Sequence, residues 1–219
     1  MITATMLMTV GLVMFAEDAP EDGLETEMKK LEGDWIPVCI KQGRQIRTTD
    51  FSMTVRIREA KLRVGPGAED RAQPARVFTL KADVTIRAGG EDRAVGRLTI
   101  NPLRDVKTFD LAIEQDFAGF GGNTIQGIYE WEGEVLKLGL NKQIFGDRPT
   151  RFDWVAILAR DSKEEREAAA ELARVLPFEK ADGKAKCRDI VKAHPKTAAA
   201  MIAQEYLDYG LVSEQECRK

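Results

Sequence analysis

The chain reads as a mainly β protein: an antiparallel up-and-down β-barrel of about eight to ten strands, followed by an α-helical C-terminal tail. Three observations predict this. From Trp35 onward, apolar residues recur at every second position. The apolar runs are joined by turn-forming residues, with no helical segment between them. After Arg160 the period lengthens to that of a helix. Strands with one dry and one wet face are antiparallel, because parallel strands are covered on both sides. A long meander closes because closure removes its unpaired edges.

The elements follow in order. Met6 to Ala16 (MLMTVGLVMFA) is the only long apolar run. At about eleven residues it is too short to span a bilayer and suits the core of an export signal. No Lys or Arg precedes it; Ala16 before Glu17-Asp18 is the expected cleavage point. Glu17 to Gly23 is acidic, contains Pro20 and reads as a linker. Asp22 and Glu25 have capping-box spacing, and Leu24, Met28 and Leu31 recur at helical intervals, so a short helix is expected to close one mouth of the barrel. Gly33 is placed to end it. Pro37, in the first strand, predicts a bulge or an edge.

The clearest alternation is Phe78, Leu80, Ala82, Val84 and Ile86 against Thr79, Lys81, Asp83, Thr85 and Arg87. Further runs fall at Met53–Ile57, Leu62–Val64, Gly96–Ile100, Phe109–Ile113, Ile125–Trp131, Leu136–Leu140 and Phe152–Leu158. In the tail, Ser162 and Glu165 form a second capping box ahead of a helix stopped by Pro177. A second helix is expected near Lys184–Ala193, and a third from Ala198 to Tyr209, capped by Thr197 and ended by Gly210. The expected division is 1–16 export signal, 17–27 linker, 28–160 barrel and 161–219 helical tail.

Composition excludes some functions. Lys+Arg is 33 against Asp+Glu 36, a net charge of -3, and no basic cluster of the kind that reads nucleic acid is present. A barrel of about 130 residues folds without metal or a disulfide framework. Cys39, Cys187 and Cys217 are the cysteines, and none forms a Cys-x-x-Cys pair. Cys39 reads as a small buried hydrophobe. Cys187 and Cys217, both in the tail, are a candidate disulfide in an oxidising compartment.

From about Met28 to Arg160 the chain resembles the lipocalin-like domain of unknown function common in planctomycete proteins. The residues that carry the resemblance are Met28-Lys29-Lys30-Leu31-Glu32-Gly33-Asp34-Trp35, Asn101-Pro102 through Phe109-Asp110-Leu111, Gly127-Ile128-Tyr129-Glu130-Trp131-Glu132-Gly133-Glu134-Val135-Leu136-Lys137-Leu138, and Arg148-Pro149-Thr150-Arg151-Phe152. Val106 stands where the family tends to have proline, and 65–74 looks like an added loop. The resemblance implies a lipocalin-related barrel and an exported protein. It also implies that Trp35 closes the barrel floor under a late-segment arginine, either Arg148 or Arg151, by cation–π contact. The family carries no established catalytic residues, so none is transferred.

The remaining candidates for chemistry are thin. His194 is the single histidine and lies at a helix end without a matching nucleophile, so neither a triad nor a zinc site is expected. Asp110, Glu114, Glu130, Glu132 and Glu134 do not read as a facing acid pair. Ala118–Gly122 lacks the Lys-Ser/Thr sequel of a phosphate loop. No cofactor is expected, and no enzyme. The barrel interior is the candidate ligand site, lined by Val55, Ile57, Phe78, Leu80, Phe109, Leu111 and Leu138, with Met53, Val84 and Leu98 beside them. The sequence supports an exported, non-enzymatic barrel in the periplasm or secreted, binding a small apolar molecule. The alternative is an envelope interaction module with a packed barrel and a partner-docking tail. A carrier predicts an interior cavity of several hundred Å3; a docking module predicts a filled barrel and an exposed apolar patch around Met201, Ile202 and Tyr206.

Overall fold

The computed structural model describes residues 21–48, 54–66, 76–88, 91–102, 106–114, 121–141, 143, 145–175, 182–210 and 212–213. The segment expected to be an export signal, Met53 and Cys217 lie outside the described residues, and of Phe78 and Leu80 only the backbone is described. The order of elements is α1 (Glu21–Leu31), β1 (Gly33–Gln42), β2 (Gln45–Thr48), β3 (Thr54–Pro66), β4 (Arg76–Ala88), β5 (Glu91–Asn101), β6 (Thr108–Ile113), β7 (Thr124–Glu132), β8 (Val135–Leu140), β9 (Trp154–Arg160), α2 (Lys163–Val175), α3 (Gly183–Ala193), α4 (Ala198–Tyr209) and β10 (Val212–Ser213).

The strands form one sheet in the order β10-β2-β1-β3-β4-β5-β6-β7-β8-β9, and β1 also pairs with β9. Eight antiparallel strands, β1 and β3 to β9, therefore close into a barrel. Closure depends on the length of β1. Its first residues pair with β3 (Trp35 opposite Val55), while Trp35 to Gln42 pair with β9. Its far end also carries β2, with Cys39 opposite Thr48, and β10 adds to β2 in parallel. The expected irregularity at Pro37 is present: the β1–β9 register shifts between Pro37 and Cys39. A second bulge falls between Arg58 and Lys61 of β3, where Glu59 adopts φ 54°. The bulge frees the Ala60 amide, which donates to Glu32 Oε1 at 2.8 Å and ties the long β3–β4 hairpin to the α1–β1 junction.

Two cores result. The inner one fills the barrel with Trp35, Ile57, Ala82, Val84, Leu98, Ile100, Phe109, Tyr129, Leu136 and Leu158, plugged by Leu31 of α1. Burying each large aliphatic side chain contributes about 1.5–3 kcal/mol. Gly127 makes room for one of them: a Cβ there would lie 2.2 Å from the Phe109 ring. The second core lies outside the barrel. Val38 and Cys39 of β1, Ile46 of β2, and Ile157 and Ala159 of β9 pack against Ala168, Leu172, Ile190, Ala199, Ile202 and Tyr206 of the helices. The tail is thus docked on its own barrel, and an ion pair between Lys41 and Glu205 spans the junction. The exposed apolar patch that the docking-module alternative forecast around Ile202 and Tyr206 is therefore not present. Ile202 is 0% and Tyr206 8% exposed, because alanines at 198, 199, 200 and 203 let α4 approach the strands closely.

The tail helices are held by their ends. Ser162 Oγ accepts from the Glu165 amide at 3.1 Å, which is half of the expected capping box. The Glu165 carboxylate does not return to Ser162. It is buried and accepts from the Ala198 and Ala199 amides at 2.9 and 3.1 Å, so it caps α4 from another helix. Thr197 Oγ1 accepts from Ala200, and Gly210 ends α4 in the left-handed region. Burial pushes the Glu165 carboxyl above its ordinary value, against the pull of the two amides.

At the other end, α1 begins at Glu21, one residue before the expected cap Asp22, so 21–27 is helix rather than linker. Leu24 and Leu31 are buried on its inner face. Its C-terminal carbonyls are capped by Arg160, whose Nη2 donates to Lys30 O at 2.6 Å and whose Nη1 donates to Glu32 O. The same guanidinium lies 4.1 Å from the Trp35 ring centroid, and Trp35 Nε1 donates to Leu31 O at 2.9 Å. The cation on Trp35 is therefore Arg160, not Arg148 or Arg151. β1 and β9 set Trp35 directly opposite Arg160, whereas Arg148 and Arg151 precede β9 at the far mouth. Gly33 does not end the helix as expected; it opens β1 at φ 145°, and a Cβ there would lie 1.9 Å from Arg160 Nη1.

Two outcomes are expected. Arg160→Ala loses about 2 kcal/mol, the sum of a cation–π contact and charged hydrogen bonds discounted for partial exposure. It lowers the urea midpoint and speeds amide exchange in α1, while exchange in α4 is unchanged. For Glu165 the folded carboxyl is raised, so its contribution to stability is present at low pH and is lost as pH rises from the ordinary value of 4.5 through the folded one. Urea midpoints measured across that interval fall with pH for the parent and stay flatter for Glu165→Gln.

Candidate functional site

Among the described residues three concavities belong to the barrel, its interior, the end covered by α1 and the end opposite, and a fourth of about 300 Å3 lies between α2 and α3. The interior brings together five of the seven residues expected to line it, while the side chains of Phe78 and Leu80 lie outside the description. Val55, Ile57, Phe109, Leu111 and Leu138 face one another with Leu31, Val84, Leu98, Ile100, Tyr129, Leu136 and Leu158. The alternation of each strand turns these residues inward, and shear offsets them so that they interdigitate. The space left between them is about 50 Å3. One water takes roughly 30 Å3 of liquid, whereas a drug-sized ligand needs roughly 300–1,000 Å3. The interior is a packed core.

At the covered end, Glu27 of α1 gathers three donors on one oxygen. Lys107 Nζ at 3.0 Å, Tyr129 OH at 3.0 Å and Trp131 Nε1 at 2.9 Å all point to Glu27 Oε1. Burial pushes the Tyr129 hydroxyl well above its ordinary range, and the adjacent carboxylate pushes it further, so it stays a neutral donor. Lys30 lies 4.7 Å from the Trp131 ring centroid and donates to Gly133 O at 2.7 Å. Outside this cluster Val106, Lys107, Tyr129, Glu130, Trp131 and Phe152 line a shallow groove of about 460 Å3. The cluster is a latch that fastens α1 over the barrel.

The opposite end is open. Gln42 and Gly43 from the β1–β2 turn, Leu140 and Asn141 from β8, and Arg148, Pro149, Thr150, Arg151, Asp153 and Trp154 leading into β9 surround a groove of about 600 Å3. Asn141 shapes the loop, donating to Asp147 O at 2.9 Å and accepting from the Gln143 amide at 3.1 Å. Arg148 Nη2 donates to Asp110 of β6, and Arg151 Nε to Asp153 Oδ2 at 2.5 Å. Arg47 of β2 lies 5.5 Å from the Trp154 ring centroid. Arg148 Nε and Trp154 Nε1 are buried without an acceptor among the described residues. Such orphaned donors cost about 1–3 kcal/mol each.

Four of the five carboxylates considered for acid chemistry, all but Glu134, are held by cations. Asp110 pairs with Arg148 and Glu114 with Arg97, while Glu130 and Glu132 share Lys137 at 3.3 and 2.6 Å. Burial lowers the Lys137 ammonium and the two glutamates outweigh it, leaving its pKa raised. His194 caps α3, is mostly covered rather than exposed, and lies 3.7 Å from Glu171. Cys39 and Cys187 are buried free thiols; burial raises Cys187 to about 11. The bridge expected for Cys187 involves Cys217, outside the described residues. Among the described residues no cluster of His, Cys, Asp or Glu suits a metal ion, and no helix is long and apolar enough to cross a membrane.

Sequence reasoning did not single out Arg160, Glu27 or Trp154. For Arg160 the signal was its place at the end of the last strand, level with Trp35. Glu27 lacked one, because its partners come from two distant segments. Comparison with family models, curated proteins and solved structures finds no match to this chain.

The latch has a measurable weight. Glu27→Ala leaves the Tyr129 hydroxyl and the Trp131 indole unpaired, and about 3 kcal/mol is expected to be lost in urea unfolding. Glu27→Gln keeps a carbonyl acceptor and loses less, with Trp131 emission less shifted to the red than in the alanine variant.

Proposed function

We propose that the protein is an exported, non-enzymatic barrel that serves as a rigid binding module, working through its rim and outer surface rather than through its interior. The observation that carries this reading is the residual interior space of about 50 Å3. The resemblance to lipocalin-like barrels and the apolar run Met6–Ala16 support export. The docked tail supports rigidity: it covers β1 and β9, the pair at which the barrel closes. No assembled nucleophile, base and oxyanion donor set favours catalysis among the described residues.

A second reading, carriage of a small apolar molecule inside the barrel, has one observation in its favour: the interior lining is aliphatic and aromatic throughout, and α1 could act as its door. A titration with a fluorescent fatty-acid analogue separates the two. The packed-support reading expects no saturable binding. Saturable binding that disappears in Leu98→Trp, a variant that fills the remaining space, would establish carriage instead.

A further inference from the structure

We propose that the groove at the open end of the barrel binds an organic carboxylate carried on a flat apolar body. This goes beyond the packed-support reading, and neither stands on the other. The argument begins with unmet hydrogen bonding. Buried N–H groups almost always have an acceptor. Among the described residues Arg148 Nε and Trp154 Nε1 have none, and both belong to residues on the wall of the same groove. They come from different structures, a loop arginine and the first residue of β9, so no single local distortion explains both.

The kind of acceptor follows from the arginine. A guanidinium offers Nε–H and Nη2–H side by side, a fork that matches a carboxylate. In Arg148 only Nη2 is engaged, by Asp110. Arg148 keeps 28% of its side chain exposed and is on the wall of the groove. One carboxylate has two oxygens, one for Arg148 Nε and one for Trp154 Nε1. A polyanion fits less well, because Arg148 and Arg151 are already neutralised by Asp110 and Asp153. The body of the ligand follows from the other walls. Leu140, Pro149 and the Trp154 ring supply apolar surface, and about 600 Å3 is the volume of a small-molecule site.

The test uses the three tryptophans of the full chain, Trp35, Trp131 and Trp154, whose indole N–H signals are resolved by nitrogen-15 correlation spectra. The probe is 2-naphthoate; the controls are 2-naphthalenemethanol, which has the same body without charge, and inorganic phosphate. The expected result is a saturable shift of the Trp154 signal alone, with calorimetric affinity at least tenfold weaker for the alcohol and for phosphate. Trp154→Phe removes only the donor, and Arg148→Lys keeps the charge but not the fork; each weakens 2-naphthoate at least tenfold with an unchanged circular dichroism spectrum. The proposal is overturned if the Trp154 signal stays still at millimolar 2-naphthoate, if alcohol or phosphate binds as tightly, or if both variants bind like the parent. A shift of the interior Trp35 signal in place of Trp154 overturns it too, and separately counts against the packed-support reading.

Discussion

The arrangement depends on one guanidinium. Arg160 stands at the end of the last barrel strand, where β9 meets β1, and it makes two kinds of contact at once. It stacks on Trp35, the first large side chain of the barrel floor, and it caps the carbonyls at the end of α1. Burial lowers its pKa from the ordinary arginine value, against the opposing pull of Glu134. Sheet closure and the covering of the mouth are therefore coupled through one side chain. Gly33 is the condition for that coupling, because any side chain there would occupy the space of the guanidinium.

The strands with one wet face were legible from period alone. β4 and β5 alternate as written, and their registers set Val84 opposite Gly96 and Ala82 opposite Leu98. The helical tail was legible for the same reason, down to the Thr197 cap and the Gly210 stop. The location of the tail was not, although the sequence held a hint. Trp35 to Ile40 and Trp154 to Ala159 are apolar nearly without interruption. A strand that reads this way is covered on both faces, and only the tail was available to cover the outer one.

Site residues were harder to read because their geometry is non-local. Trp35 is buried in the inner core, but choosing its arginine required the β1–β9 register. Arg148 and Arg151 stand in a motif-like segment that precedes β9, and β9 carries the chain the length of the barrel before Arg160 arrives beneath Trp35. Glu27 illustrates the same difficulty. Its three donors come from residue 107 and from β7, and no spacing within α1 announces them. The expected lining, by contrast, followed from parity and needed no register at all.

The two ends of the barrel differ in how completely their polar groups are satisfied, and that contrast separates support from site. At the α1 end every donor named has an acceptor: Lys107, Tyr129 and Trp131 converge on Glu27, and Arg160 on two carbonyls. A fully paired cluster rigidifies and has little left to offer a ligand. At the opposite end the walls of a larger groove include Arg148 and Trp154, whose Nε and Nε1 donors have no acceptor among the described residues. Stability alone would favour filling or pairing those positions, as happens at the α1 end. The interior sharpens the contrast, since only about 50 Å3 is left between its lining residues while about 600 Å3 lies at this rim.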